Sequence, residues 1–120
     1  MILNLTQHPA TPEQIAAGVV DLPAEMRVNL AELLTFEELP TRAVINARAL
    51  AIAEIAKAQG ATRALIGGAP FLMKGLRHFL EGRNITAFYA FSRRETREET
   101  LPDGSVRKTS VFRHAGFVPA

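Results

Sequence analysis

Segments with strand character alternate with segments of helical spacing from Ile2 to Phe91, and a Pro102-Asp103-Gly104 turn folds the remaining tail back on itself. Together these two observations predict a small three-layer α/β domain with a mainly parallel sheet and a C-terminal β-hairpin. A third observation fixes the scale. At 120 residues with 48% apolar and 22% charged residues, the chain is long enough for one cored domain, spanning 1–120, with little room for a second.

Ile2-Leu3-Asn4-Leu5 reads as the opening strand. Thr11 is then a natural N-cap, Pro12 stands at the first helical position, and Gln14 completes a capping box, so a helix starts at Pro12 and stops at Gly18. Val19 to Leu22 reads as a further short strand. Pro23 opens a helix from Ala24 to Leu34, with Met26, Leu30, Leu33 and Leu34 at helical spacing. Thr35 and Glu38 repeat the capping-box pattern and predict a single helical turn before Pro40. Thr41 caps a long Ala-rich helix that Gly60 ends near Gln59. Its apolar positions cover most of the circumference, which predicts close packing against the sheet or a partner chain.

Thr62 to Ile66 is the next strand. It runs through Gly67-Gly68-Ala69 into a helix from Pro70 to Glu81, and Ile85 to Phe91 forms a third core strand. Beyond it, Glu95 to Thr100 and Ser105 to Arg113 flank the turn. Glu98 or Glu99 across from Arg107 or Lys108 would support that pairing.

Several classes of partner and chemistry are disfavoured at once. No run approaches the ~18 apolar residues of a membrane span, and Met1-Ile2-Leu3-Asn4 has no signal-peptide character. Zero cysteines exclude disulfide and thiolate chemistry and point to the cytoplasm. Three scattered histidines predict no metal site, and nothing calls for a cofactor. There is no GxSxG elbow and no close carboxylate pair at a strand end. Alternate aromatics Phe88, Tyr89 and Phe91 read as core rather than as an RNA platform, so no long nucleic acid is expected. Charge is asymmetric: residues 1–60 are net −3 and residues 61–120 net +5, which places an anionic partner in the second half.

Ligands of open α/β sheets bind outside the carboxyl ends of the strands. Three segments fall there: Thr6-Gln7-His8-Pro9, Gly67-Gly68-Ala69-Pro70-Phe71, and Ser92-Arg93-Arg94-Glu95. The second has no capping side chain ahead of Pro70, which leaves the first-turn N–H groups for an anion. The set suits a phosphorylated small molecule: amides for one phosphate, guanidinium forks for another. Thr6, Gln7, Gly67, Gly68, Ala69, Phe71, Ser92 and His114 are the candidate ligand contacts, His114 by folding over the crevice from the tail. His8, Arg93 and Arg94 are the candidate catalytic groups. Each has an ordinary alternative: a tight turn for the glycines, a cap or packing role for His8, a solvated pair for the arginines. His78 reads as surface.

Ile2-Leu3-Asn4-Leu5-Thr6, His8-Pro9, Thr11 and Glu13-Gln14 resemble the opening of the small CRISPR-associated Rossmann-like ring nucleases, and the plan of the middle of the chain is similar. The chain departs from that pattern by one extra residue, Gln7, and by the C-terminal hairpin. The resemblance implies an antiviral-defence protein that degrades a cyclic oligoadenylate without metal, as a homodimer around a symmetric ligand. It also implies phosphate positioning by Thr6, His8 and Gly67-Gly68, with Arg93 or Arg94 stabilising the transition state. The residues themselves leave two classes open: a ligand-binding domain with or without turnover, and a non-catalytic sensor or protein-interaction module.

Overall fold

The computed structural model describes residues 1–120. Five strands, β1 (Ile2–Asn4), β2 (Val19–Asp21), β3 (Arg63–Leu65), β4 (Thr86–Thr100) and β5 (Val106–Pro119), form one sheet in the order β2-β1-β3-β4-β5. The first four are mutually parallel, and β5 runs antiparallel to β4. This is a small Rossmann-like α/β domain.

Right-handed crossovers explain how the four helices are placed. The chain steps from β1 to β2 in one direction and from β2 over to β3 and β4 in the other, so the connections fall on opposite faces. α2 (Ala24–Leu34), α3 (Arg42–Ala58) and α4 (Pro70–Glu81) bury Leu30, Ile52, Ala53, Leu72, Leu76 and Leu80 against Leu3, Leu5, Ala64, Ile66, Ile85 and Ala87. The other face carries only Ile2, Val19 and Leu65, with Ala10 and Phe117 packed beside them. Its helix, α1 (Pro12–Ala16), has five residues and buries none of them. The third layer is thus minimal.

Local signals hold where they are strong. The Thr11–Gln14 capping box forms in both directions, Thr41 accepts from the Val44 N–H at 3.2 Å, and α2 and α4 have the expected ends. The turn expected at Thr35–Glu38 does not form. Thr35 is extended (φ −102°, ψ 128°) and its hydroxyl donates backwards to the Ala31 carbonyl at 2.8 Å, so it closes α2 instead of opening a new turn. The long helix α3 is also less enclosed than its composition predicts. Ala49, Ile52, Ala53 and Ala56 are buried, whereas Val44 and Leu50 stay exposed on its outer side.

The largest departure is at the C-terminus. β4 does not stop at Phe91 but runs on to Thr100, 15 residues in all, and β5 matches it through Pro119. Ser92-Arg93-Arg94-Glu95 is therefore strand rather than loop. The extension is a two-stranded ribbon, about 30 Å long from Ser92 to Thr100 at strand rise. It stretches the molecule to 58 × 33 × 27 Å with a radius of gyration of 17.4 Å, against about 14 Å for a compact chain of this size. Glu98 faces Lys108 and Glu99 faces Arg107, with the first pair in contact at 3.8 Å. A bulge at Ala115, between the Phe91–Gly116 and Ser92–His114 pairs, marks the point where the ribbon leaves the body. There Gly116 takes φ +152°, a value that favours glycine.

Body and ribbon respond differently to truncation. Leu76→Ala, at a fully buried site, is expected to cost about 3 kcal/mol in urea unfolding, whereas Phe112→Ala on the ribbon costs within about 0.5 kcal/mol. At the ribbon tip, Asp103 accepts from the Ser105 hydroxyl (2.6 Å) and N–H (2.9 Å), which hold its carboxyl below the ordinary carboxylate range. A lowered native value means that this contribution is complete above the unfolded-state value and is lost as pH falls through the native one. An NMR titration is expected to show the Asp103 midpoint rising part of the way toward the ordinary range in Ser105→Ala, which removes the hydroxyl and keeps the N–H.

Candidate functional site

β1 and β3 are neighbours whose connections leave toward opposite faces, and this divergence opens a crevice at their carboxyl ends. The cavity there has a volume of about 500 Å³. Three segments wall it: Thr6 to Pro9 with Thr11 and Gln14, Leu65 to Ala69, and Tyr89-Ala90, with Leu34 of α2 behind. Two of the three expected loops thus meet. A Cβ placed on Gly67 would lie 3.4 Å from the Thr6 methyl, and one on Gly68 would lie 3.5 Å from Met73 and 3.7 Å from Leu34. Those distances are ordinary contacts, so it is the backbone, at φ +147°, that calls for glycine at position 68.

The floor of the first wall is built by Asn4, the one buried polar residue of the chain, 4% exposed. Its Nδ2 donates to the His8 carbonyl and to Asp21 Oδ1, both at 2.8 Å. Its Oδ1 accepts from the Thr6 N–H at 2.9 Å and the Thr6 hydroxyl at 2.7 Å. Asp21 in turn accepts from the Ala10 N–H at 3.1 Å. One amide therefore pins both ends of the Thr6–His8 loop. Sequence reading passed over Asn4 and Asp21, although a lone amide inside Ile2-Leu3-Asn4-Leu5 was a visible signal.

The network redefines the expected roles. The Thr6 hydroxyl has one proton, and the Asn4 carbonyl oxygen and the His8 carbonyl (3.2 Å) are the acceptors facing it. Thr6 is therefore a loop-positioning residue whose hydroxyl oxygen remains able to accept. Gln7 donates from Nε2 to Thr35 Oγ1 at 2.8 Å, tying the loop to the end of α2. Arg48 fixes that end by donating to the Thr35 carbonyl and stacking 4.3 Å from the Phe36 ring centroid. Only His8 keeps a free side chain: it is exposed at the crevice wall and makes no side-chain hydrogen bond.

The second wall supplies donors. No protein acceptor takes the N–H groups of Gly67, Gly68, Ala69 or Phe71, and α4 begins at Ala69 without a side-chain cap. Four unpaired amides thus lie at the positive end of a twelve-residue helix. Tyr89, read from sequence as core, adds an aromatic edge at 37% exposure. The Phe71 side chain points elsewhere: half exposed, it meets Phe36 edge-on at 4.9 Å.

The remaining candidates do not join them. Ser92, Arg93 and Arg94 lie on the ribbon beyond Ala90 and do not line the crevice, because β4 carries them outward as strand. Arg94 donates to Ser110 at 3.1 Å on the neighbouring strand. His114 pairs with Ser92 in the ladder and packs on Phe117 at 4.8 Å, on the sheet face away from α2–α4. His78 is exposed at the end of α4, as read. The crevice therefore contains no guanidinium, and its positive potential comes from amides and the helix dipole. No group of three or more His, Asp or Glu side chains is placed to hold a metal ion, and no helix is long and apolar enough to cross a membrane.

A larger cavity, about 740 Å³, lies between the end of α2 and the start of α3. Glu32, Glu37 and Glu38 ring it, and Leu39 beside it is almost wholly exposed. Phe36 to Leu39 also carry N–H groups without a protein acceptor there. The three carboxylates repel an anion, however, and the one guanidinium, Arg48, is engaged by the Thr35 carbonyl and the Phe36 ring, so the smaller crevice is the better-formed candidate.

Asn4→Leu keeps the volume but strands the Thr6 N–H and takes a donor from both the His8 carbonyl and Asp21. It is expected to cost about 2–3 kcal/mol in denaturant unfolding. Hydrogen exchange is expected to speed up at Thr6 and Ala10 more than at Leu76.

Among curated proteins and solved structures nothing matches the chain. A family model matches residues 1–118, nearly its whole length. The chain belongs to the family described as the uncharacterized protein MJ1673 family.

Proposed function

We propose that the crevice at the β1/β3 divergence binds a phosphorylated ligand of nucleotide size. The observation that carries this reading is the row of unpaired amides at Gly67, Gly68 and Ala69, residues that line a cavity of about 500 Å³, with the unpaired Phe71 N–H beside them in the uncapped first turn of α4. Unpaired N–H groups at a helix start favour a phosphate over a neutral group. Tyr89 and Leu34 give the apolar surface that a base or sugar requires. The chain's lack of cysteine fits action in the cytoplasm.

On this reading the domain binds and positions. With Arg93 and Arg94 outside the crevice, the charge-stabilising role assigned to them for phosphodiester cleavage has no occupant in a single chain. A second reading, metal-independent cleavage of cyclic oligoadenylate, rests on the N-terminal resemblance to ring nucleases and on the free side chain of His8. In that reaction a ribose 2′-hydroxyl attacks its adjacent phosphorus to form a 2′,3′-cyclic phosphate, His8 takes the hydroxyl proton, and the 5′-oxygen leaves as a hydroxyl by taking a proton from water.

A thermal-shift screen of nucleoside phosphates, sugar phosphates and cyclic oligoadenylates separates these outcomes. A true ligand at about 100 Kd is expected to add about 2.7 kcal/mol and several degrees in Tm. Gly68→Ala, measured against its own ligand-free Tm, is expected to lose that shift. No shift with any phosphorylated compound would overturn the binding reading. Linear products from cyclic oligoadenylate that vanish in His8→Ala would establish the second reading, and intact ligand beside a clear shift would exclude it.

A further inference from the structure

The ribbon's two outer edges differ in a way that its length makes consequential. β3 ends opposite Phe88, so nothing pairs with that side of β4 from Tyr89 to Thr100. The Thr86 N–H and the Phe88 carbonyl face β3, while the Ala87 carbonyl faces β5. Alternation continues along β4, because the bulge inserts its extra residue in β5. The N–H and C=O groups of Ser92, Arg94, Thr96, Glu98 and Thr100 therefore point into open space. A two-stranded ribbon is at best marginally stable alone, and an unpaired edge of this length is a template for another strand.

The side chains along that edge say which strand it accepts. Arg93-Arg94-Glu95-Thr96-Arg97-Glu98-Glu99 inverts its charge about Thr96. If a second copy of β4 runs antiparallel with Thr96 opposite Thr96, Arg93 meets Glu99, Arg94 meets Glu98, and Glu95 meets Arg97. Each charged residue in the run faces its opposite, the pairing that stabilises cross-strand neighbours. The same register sets free backbone groups against free backbone groups. It also places Phe91, 50% exposed, opposite Leu101 of the second copy. The outer edge of β5 has the reverse character. Arg107, Lys108 and Arg113 stand there, with no acidic residue from 105 to 120, so two β5 edges repel.

We infer that two copies of this chain associate through the free edges of β4, antiparallel about Thr96, to give a continuous β5-β4-β4-β5 sheet between the two bodies. The bonds to Arg113 (2.8 Å) and Lys108 (3.8 Å) leave Glu95 and Glu98 a second carboxylate oxygen each for the partner. The register also carries each copy's turn, Leu101 to Gly104, to the Tyr89–Ala90 rim of the other copy's crevice. This inference does not depend on what the crevice binds.

Sedimentation of the full chain over a concentration series tests it. The wild type is expected to be a dimer whose dissociation constant rises with salt. Thr96→Pro removes an N–H on the free edge and none of the β4–β5 ladder, and is expected to weaken the dimer at least about tenfold. The double variants Arg93→Glu/Arg94→Glu and Glu98→Arg/Glu99→Arg put like charges opposite each other. Each alone is expected to be monomeric, and an equal mixture of the two is expected to form a heterodimer. Recovery in the mixture also shows that both chains are folded. A monomeric wild type, a dimer indifferent to Thr96→Pro, or a mixture that stays monomeric would each overturn the inference.

Discussion

The constraint on which the rest of the structure depends is the parallel pairing of β1 with β3, Leu3 opposite Ala64 and Asn4 opposite Leu65. Because the chain leaves these two strands toward opposite faces, no crossover covers the gap between their ends. The crevice is the space left by that divergence. Its two walls are then fixed by short-range chemistry: the Asn4 amide on one side, the glycine turn into α4 on the other. β3 is also short, three residues ending at Leu65. This brevity uncovers the edge of β4 and so creates the ribbon's free side. Crevice and free ribbon edge thus both begin where β3 ends.

The parts of the fold legible in the sequence are those encoded within a few residues. Thr11 with Gln14, Thr41, Pro70 and the Pro102-Asp103-Gly104 turn each act through contacts to near neighbours, and the elements they delimit have the expected ends. The hairpin pairing of Glu98 with Lys108 was legible too, since turn geometry sets register. What local pattern did not carry was the persistence of β4 through Ser92-Arg93-Arg94-Glu95. A run that polar reads as a loop, because nothing nearby marks it as buried. It is strand because each residue finds a partner on β5, up to 22 positions away. Thr35 failed for a related reason: two carbonyl-and-amide environments competed for one hydroxyl, and the finished helix behind it won over the nascent turn ahead.

That misreading of β4 had a direct consequence for the site. Arginines expected at a loop tip beside the glycines are carried along a strand, and a crevice expected to be cationic through side chains is positive only through its backbone. Backbone donors orient a phosphate without supplying a proton or a mobile charge. The geometry therefore supports recognition more directly than turnover. Asn4 deepens the same point, since its four hydrogen bonds spend polar groups on rigidity rather than on chemistry.

The central claim is that the amides between Gly67 and Phe71 receive a phosphate. An amide-resolved NMR titration of the full chain with adenosine monophosphate measures this most directly. The account predicts saturable downfield shifts concentrated at Gly67, Gly68, Ala69 and Phe71, with smaller changes at His8 and Tyr89 and none along residues 93–113. Shifts confined to Arg93, Arg94, Arg97 and Arg113, or a Gly67–Phe71 segment that does not respond at all, would contradict it.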